Sequence, residues 1–222
     1  DRARAAGLDE VAIFAAASET FSTKNINQSM GASLDTYRAV CERASTLGIR
    51  VRAYLSTAFG CPFEGDVPIE TVAAVSSELI AMGAFEVSVS DTIGVAHPGQ
   101  VPRVVGAVAS RIGTDRVALH FHDTRGTALA NVLAALDLGI STFDASAGGL
   151  GGCPYAPGAT GNLATEDLVY MLDGLGIRTG VTLASVVEAA ASMAASVGHA
   201  PASRYFHAVR ASSRPAVPPA SS

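Results

Sequence analysis

Short runs of β-branched and apolar residues alternate along the chain with longer segments in which apolar positions recur every three to four residues. The short runs predict strands at residues 11–16, 49–55, 85–90, 117–121 and 142–145. The longer segments predict helices at 34–47, 69–82, 100–112 and 127–138, with two more at 164–172 and 183–197 after the last strand. Gly48, Gly83, Gly113 and Gly139 each fall between a predicted helix and the next strand, where a left-handed residue ends the helix and glycine adopts it without steric cost. Strands alternating with helices in this way specify an α/β fold with a parallel sheet.

Residues two apart share one face of a strand. That parity groups Arg50, Arg52 and Tyr54; Glu86, Ser88 and Ser90; His120 and His122; and Asp144 and Ser146. Each polar set is opposed by an apolar set that faces the helices. Five parallel strands with one polar face suggest the lumen of a (β/α)8 TIM barrel, open at the C-terminal ends of its strands, where active sites of that fold lie. An open, doubly wound five-stranded sheet is the alternative, and strand counting does not separate the two. A complete barrel uses about 250 residues. The expectation is therefore about the last five β/α units of the barrel, with roughly three N-terminal units absent. One catalytic domain is expected over residues 1–200, and the Pro/Ser/Ala-rich stretch 201–222 is expected to be disordered.

Composition narrows the function classes. Hydrophobic residues are 49% and charged residues 16%, which fits a compact protein, and the formal net charge of −5 offers no basic stripe for nucleic acid. Cys41, Cys61 and Cys153 are too few and too scattered for a disulfide framework, which points to a reducing, cytoplasmic setting. No apolar run reaches the roughly 18 residues of a membrane span.

The segment from Leu119 to Thr124 places His120 and His122 on one face at the end of a strand, a spacing that suits two ligands of one metal or a hydrogen-bonded pair in the lumen. The loop that follows the fifth strand is too long for an ordinary connection and carries six glycines between Gly148 and Gly161. Glycine lets such a loop approach a ligand and hinge, while Pro154 and Pro157 restrain it. Cys153 lies at its centre, as a reactive thiol or as a small buried residue. Asn162 precedes a helix that opens Leu-Ala-Thr-Glu-Asp, the ordinary place of an N-cap, with Glu166 and Asp167 favouring the positive helix end. Cys41 lies on an amphipathic helix and is expected to pack; His97, His199 and His207 have no partner in sequence.

The strings GGLGGCPYAPGATGNLATEDLVYMLDGLGI, HFHDTRGTALANVLAALDLGI and AAASETFSTKNIN resemble the 3-hydroxy-3-methylglutaryl-CoA lyases of the DRE-TIM metallolyase superfamily, over residues 7–182. The resemblance implies that His120, His122 and Asn162 bind a divalent cation, Mg²⁺ or Mn²⁺, and that Cys153 is catalytic, with His120 a second candidate catalytic residue. A His120, His122 and Cys153 zinc site is the rival arrangement. The implied reaction is retro-Claisen cleavage of an acyl-CoA thioester into acetyl-CoA and acetoacetate, with an oligomer of like chains as a possible assembly. The same family with another 3-hydroxyacyl-CoA, or a non-catalytic partial barrel, are the other readings. The family's arginine–aspartate pair on its first strand and glutamate on its second have no counterpart here, since the chain begins at what corresponds to the fourth strand.

Overall fold

The structure is a computed structural model and describes residues 1–152 and 161–212. Five parallel strands, β1 (Glu10–Ala16), β2 (Arg50–Ser56), β3 (Ala84–Asp91), β4 (Val117–Phe121) and β5 (Thr142–Asp144), lie side by side in chain order. The helices are α1 (Arg2–Ala5), α2 (Glu19–Ile26), α3 (Met30–Thr46), α4 (Ile69–Ala81), α5 (Val101–Ile112), α6 (Ala128–Leu136), α7 (Thr165–Gly174), α8 (Leu183–Val197) and α9 (Arg204–Ser212). Each predicted strand and helix is present, displaced by no more than a few residues.

The described chain forms two compact units. Asp1–Asp144 carries the sheet and α1 to α6, while Ala145–Gly151 and the residues from Gly161 onward form the second. In the first unit, Ile13, Val51, Leu55, Val87, Val89, Leu119 and Phe121 turn one face of the sheet into a buried layer. Val72 and Leu79 of α4 and Val104, Val105 and Val108 of α5 are buried as well. Burying each such side chain contributes about 1.5–3 kcal/mol. This apolar face is what fixes the register, because a one-residue slip would carry the whole set to the opposite side.

Gly48, Gly83, Gly113 and Gly139 all take positive φ, as their positions require. At Gly113 the pair φ 86, ψ 146 is a conformation essentially closed to residues with a Cβ, so α5 ends there for a steric reason.

In the second unit, Val187 and Ala190 of α8 pack with Phe206 of α9, and Tyr170 of α7 stacks on Tyr205 at 5.0 Å between ring centroids. The stretch from Pro201, expected to be disordered, begins with an ordered helix. Its composition concealed two local devices. Asp167 accepts from Ser203 Oγ and Tyr205 N at 2.8 Å and from Arg204 N at 3.1 Å, and Ser203 Oγ accepts from Phe206 N at 3.0 Å. Residues 213–222 lie outside the described residues. Among those described, no helix is long and apolar enough to cross a membrane.

Candidate active site

The polar sheet face gathers as the parity of the strands predicts. Register sets Arg52 beside Glu86, Tyr54 beside Ser88, Ser90 beside His120 and His120 beside Asp144. Arg52 Nε donates to Glu86 Oε1 at 2.6 Å, and its NH1 donates to Tyr54 OH at 2.5 Å and Asp144 Oδ1 at 2.8 Å. Ser88 Oγ donates to Asp144 Oδ2 at 2.8 Å. His120 Nδ1 lies 3.7 Å from that same oxygen. Four strands therefore meet around one carboxylate.

Two aromatic contacts frame the cluster. Tyr54 stacks on Phe14 of β1 at 4.9 Å and meets the His120 ring edge-on at 6.4 Å. His120 and His122 are 5.2 Å apart at their ring centroids, and His122 is buried.

Charge and burial oppose each other here. Burial alone would raise the Asp144 pKa, but His120, Arg52 and Ser88 outweigh it and hold the carboxyl below its usual range. Burial also works against the Arg52 charge, and Asp144 and Glu86 more than restore it. Burial and the Asp144 charge raise the Tyr54 phenol against the pull of Arg52. With both carboxylates ionised the trio Arg52, Glu86 and Asp144 carries one excess negative charge, so the lumen favours a further cation.

The loops beyond the strand ends are clamped by side chains. Asp91, at the end of β3, is buried and accepts from Val95 N at 2.9 Å and Ala96 N at 3.1 Å. Burial pushes its carboxyl up to about 6 in spite of those two donors. Arg125 NH1 donates to Ile93 O at 3.1 Å and Gly94 O at 2.9 Å, while Thr127 Oγ1 and Asn131 Nδ2 both donate to Ala96 O. The loops after β3 and β4 are thereby tied to one another. Gly94 is required by this closeness, since a Cβ there would fall 2.7 Å from that of Thr124 and 2.9 Å from its backbone nitrogen. Sequence reading did not single out Asp91: an aspartate before Thr-Ile-Gly looks like an exposed turn, and only its burial distinguishes it.

In the second unit, Asn162 Nδ2 donates to Leu150 O at 2.8 Å, which turns the amide oxygen away from Leu150. Asn162 is not the N-cap expected of it. The helix starts at Thr165 with Ala164 in the cap position, because Ser146 and Ala164 pair as a short parallel bridge and hold the chain extended until then. Glu166, in the first turn, is fully buried and its two oxygens accept from Gly148 N at 3.0 and 2.9 Å. Cys153 lies outside the described residues. Cys41 is buried on α3, as expected, and Cys61 is buried with its Sγ 3.0 Å from Ser18 Oγ. Among the described residues no three His, Cys, Asp or Glu side chains are grouped so as to hold a metal by themselves.

Comparison with known proteins follows the same lines. The HMGL-like family model matches residues 1–193. The chain is 53% identical over 184 residues to hydroxymethylglutaryl-CoA lyase YngG of Bacillus subtilis, covering 83% of this chain and 62% of that protein. It is 51% identical over 205 residues to the 3-hydroxy-3-isohexenylglutaryl-CoA/hydroxy-methylglutaryl-CoA lyase of Pseudomonas aeruginosa, covering 92% and 68%. Its fold is similar to that of an HMG-CoA lyase from Acinetobacter baumannii in complex with coenzyme A and 3-methylmalate, with a TM-score of 0.90, 36% identity, and coverage of 98% of this chain and 71% of that one. The chain thus spans about six tenths to seven tenths of the length of these three relatives, and its five parallel strands represent part of a TIM barrel. The chain therefore belongs to the HMGL-like family.

Proposed function

We propose that this chain carries the paired histidines and the glycine-rich loop of a carbon–carbon lyase that cleaves 3-hydroxy-3-methylglutaryl-CoA to acetyl-CoA and acetoacetate. The observation that carries the reading is the cluster in which Arg52, Ser88 and His120 converge on Asp144, with Tyr54 edge-on to His120 and His122 beside it. Two imidazoles 5.2 Å apart are close enough to share one ion, and the excess carboxylate charge favours it. Asn162 would add an amide oxygen. Two nitrogens and an oxygen suit Mg²⁺ or Mn²⁺, with water filling the other positions, whereas zinc would call for the Cys153 thiolate in place of Asn162. When bound, such a cation polarises the substrate's oxygens.

Of the two proton transfers the reaction needs, the second falls to a residue of this chain. Loss of the tertiary hydroxyl proton lets that oxygen become a ketone as the carbon–carbon bond breaks, and the two-carbon fragment leaves as a thioester enolate. An ordinary thiol, titrating near about 8.5, is mostly protonated at neutral pH, so Cys153 can donate its proton to the enolate carbon. The acyl-CoA substrate class is supported by the coenzyme A complex of the Acinetobacter baumannii relative. Buried free Cys41 and Cys61 fit the reducing, cytoplasmic setting.

The test is an assay of acetoacetate release by the purified chain, alone and with a separately supplied N-terminal segment of the Bacillus subtilis relative. Metal-dependent turnover in the complemented sample, abolished by chelator and by His122→Ala and only reduced by Asn162→Asp, supports the reading. Turnover indifferent to chelator and to His122→Ala rejects the metal assignment, and stoichiometric zinc that departs with Cys153→Ser selects the rival site. The Pseudomonas aeruginosa relative favours a second substrate, 3-hydroxy-3-isohexenylglutaryl-CoA. The ratio of kcat/KM for the two thioesters decides between them.

A further inference from the structure

His120 Nδ1 is buried and has no hydrogen bond within ordinary range, and the carboxylate oxygen nearest to it is Asp144 Oδ2 at 3.7 Å. Buried ring nitrogens are rarely left unsatisfied. The groups against the ring are the Tyr54 phenol and the His122 imidazole, while Arg52 and Glu86 stand beyond Asp144. The carboxylate itself is not free to turn. Arg52 NH1 holds Oδ1 at 2.8 Å and Ser88 Oγ holds Oδ2 at 2.8 Å, and Arg52 is fixed in turn by Glu86 and Tyr54. A carboxylate only accepts, so the ring nitrogen that faces it is the one that carries hydrogen.

We propose that Asp144, clamped by Arg52 and Ser88, is the positioning residue for His120, fixing the neutral ring as the Nδ1–H tautomer and leaving the Nε2 lone pair as the atom His120 offers to a ligand. The use made of Nε2 rests on the reading of His120 as a metal ligand; the tautomer does not. A carboxylate behind a ligating histidine sets its tautomer and orientation in this way at many metal sites. Asp144 acts through His120 and touches no reacting atom.

The clamp makes an unusual variant informative. In Asp144→Asn, Arg52 can only donate, so the amide oxygen takes the Oδ1 place and the NH2 group turns to Ser88 and His120. Nδ1 then becomes an acceptor and the hydrogen moves to Nε2. Long-range ¹H–¹⁵N correlation on the metal-free 222-residue chain in alkaline buffer reads the tautomer directly. Nδ1–H in the wild type and Nε2–H in Asp144→Asn is the expected result. Glu86→Gln, which touches the same guanidinium but not His120, and Ser88→Ala, which keeps the carboxylate, both retain Nδ1–H. Nε2–H in the wild type overturns the proposal even if every variant fails to fold, and so does an unchanged tautomer in a folded Asp144→Asn. Mn²⁺ titration followed by electron paramagnetic resonance is the separate second readout. Asp144→Asn is expected to bind about 10- to 100-fold more weakly than the wild type. Equal affinities overturn the positioning role, whereas no binding by a wild type that shows Nδ1–H counts against the metal reading alone.

Discussion

Arg52 is the residue on which the lumen cluster depends, because it is the cation between two part-buried carboxylates. Its side chain is 13% exposed, Glu86 is 13% and Asp144 is 21%. Arg52→Ala should therefore cost about 3–5 kcal/mol, the usual penalty for leaving buried charge uncompensated, and denaturant melts of the purified chain check it. Asp91 behaves with the opposite sign to Asp144. Its folded pKa of about 6 lies above the ordinary 3.8, so the native state binds the extra proton. The stability it lends is complete below the unfolded value and is lost as pH rises through about 6, a change of about 3 kcal/mol at most. Asp144, held low, lends stability that is present above its unfolded value and disappears as pH falls. Melts of wild type against Asp91→Asn between pH 4 and 7 should show the wild type losing stability relative to the variant as pH rises; a difference flat across that range would reject the assignment. Cys153→Ser, in a complemented enzyme, should lower kcat by about 100- to 10,000-fold with metal affinity intact, and near-normal kcat would remove the catalytic role of the thiol. Much of this site was legible in advance. Strand parity alone grouped Arg52 with Tyr54, Glu86 with Ser88 and His120 with His122. Parity says which side chains share a face, but not which one the others bond to, and so the central place of Asp144 emerged only from the distances.

Among the elements, α7 is the one whose first turn carries the second unit. Glu166 fixes Gly148 N from the helix side, and Asp167 fixes the first turn of α9. Glu166→Ala would leave a buried backbone N–H unsatisfied and a cavity where a full side chain stood, at a cost of about 2–4 kcal/mol, while Glu166→Gln keeps one acceptor and should cost less. Asp167→Ala removes a cap worth about 1 kcal/mol, and hydrogen exchange should then accelerate across Arg204–Ser212 without changing in β1 to β4. Uniform acceleration across the chain would show that α9 is not docked separately. The strands and the longer helices were readable because burial imposes a period on them. The elements that escaped, α1, α2 and α9, lack that imprint. In α2 only Phe21 and Ser22 are buried, and its limits are set by Ser18, which accepts from Phe21 N at 3.2 Å, and by left-handed Asn27. Caps of this kind are single residues, and their partners are named by geometry rather than by spacing. Asn162 shows the converse, since its sequence position reads as a cap while an extended bridge moves the cap two residues on, to Ala164.

At the scale of the molecule, the sheet has two ends. β1 and β5 each have one neighbour among the described residues. The two edges are unequal in consequence, because β5 has three residues and β1 has seven with no proline among them. Phe14, facing the polar side of β1, is 55% exposed, and Leu8 just before the strand is 52% exposed. A long edge strand bearing an exposed aromatic residue is a template for pairing with another chain. The 222-residue chain at micromolar concentration should accordingly self-associate, and light scattering should show a mass that rises with concentration. Ala12 offers a way to test the cause. It lies exposed on the same face as Phe14, so Ala12→Lys places a charge on the edge without entering the apolar layer formed by Ile13 and Ala15. Such a charge disfavours edge pairing and leaves the fold intact, and the variant should remain smaller than the wild type at equal concentration. Supplying an N-terminal segment of a relative that pairs with β1 should have the same effect on the mass distribution, giving one species of fixed stoichiometry. A wild-type chain that is a monodisperse monomer with one cooperative melt would reject the argument, since the β1 edge would then be satisfied within the chain itself.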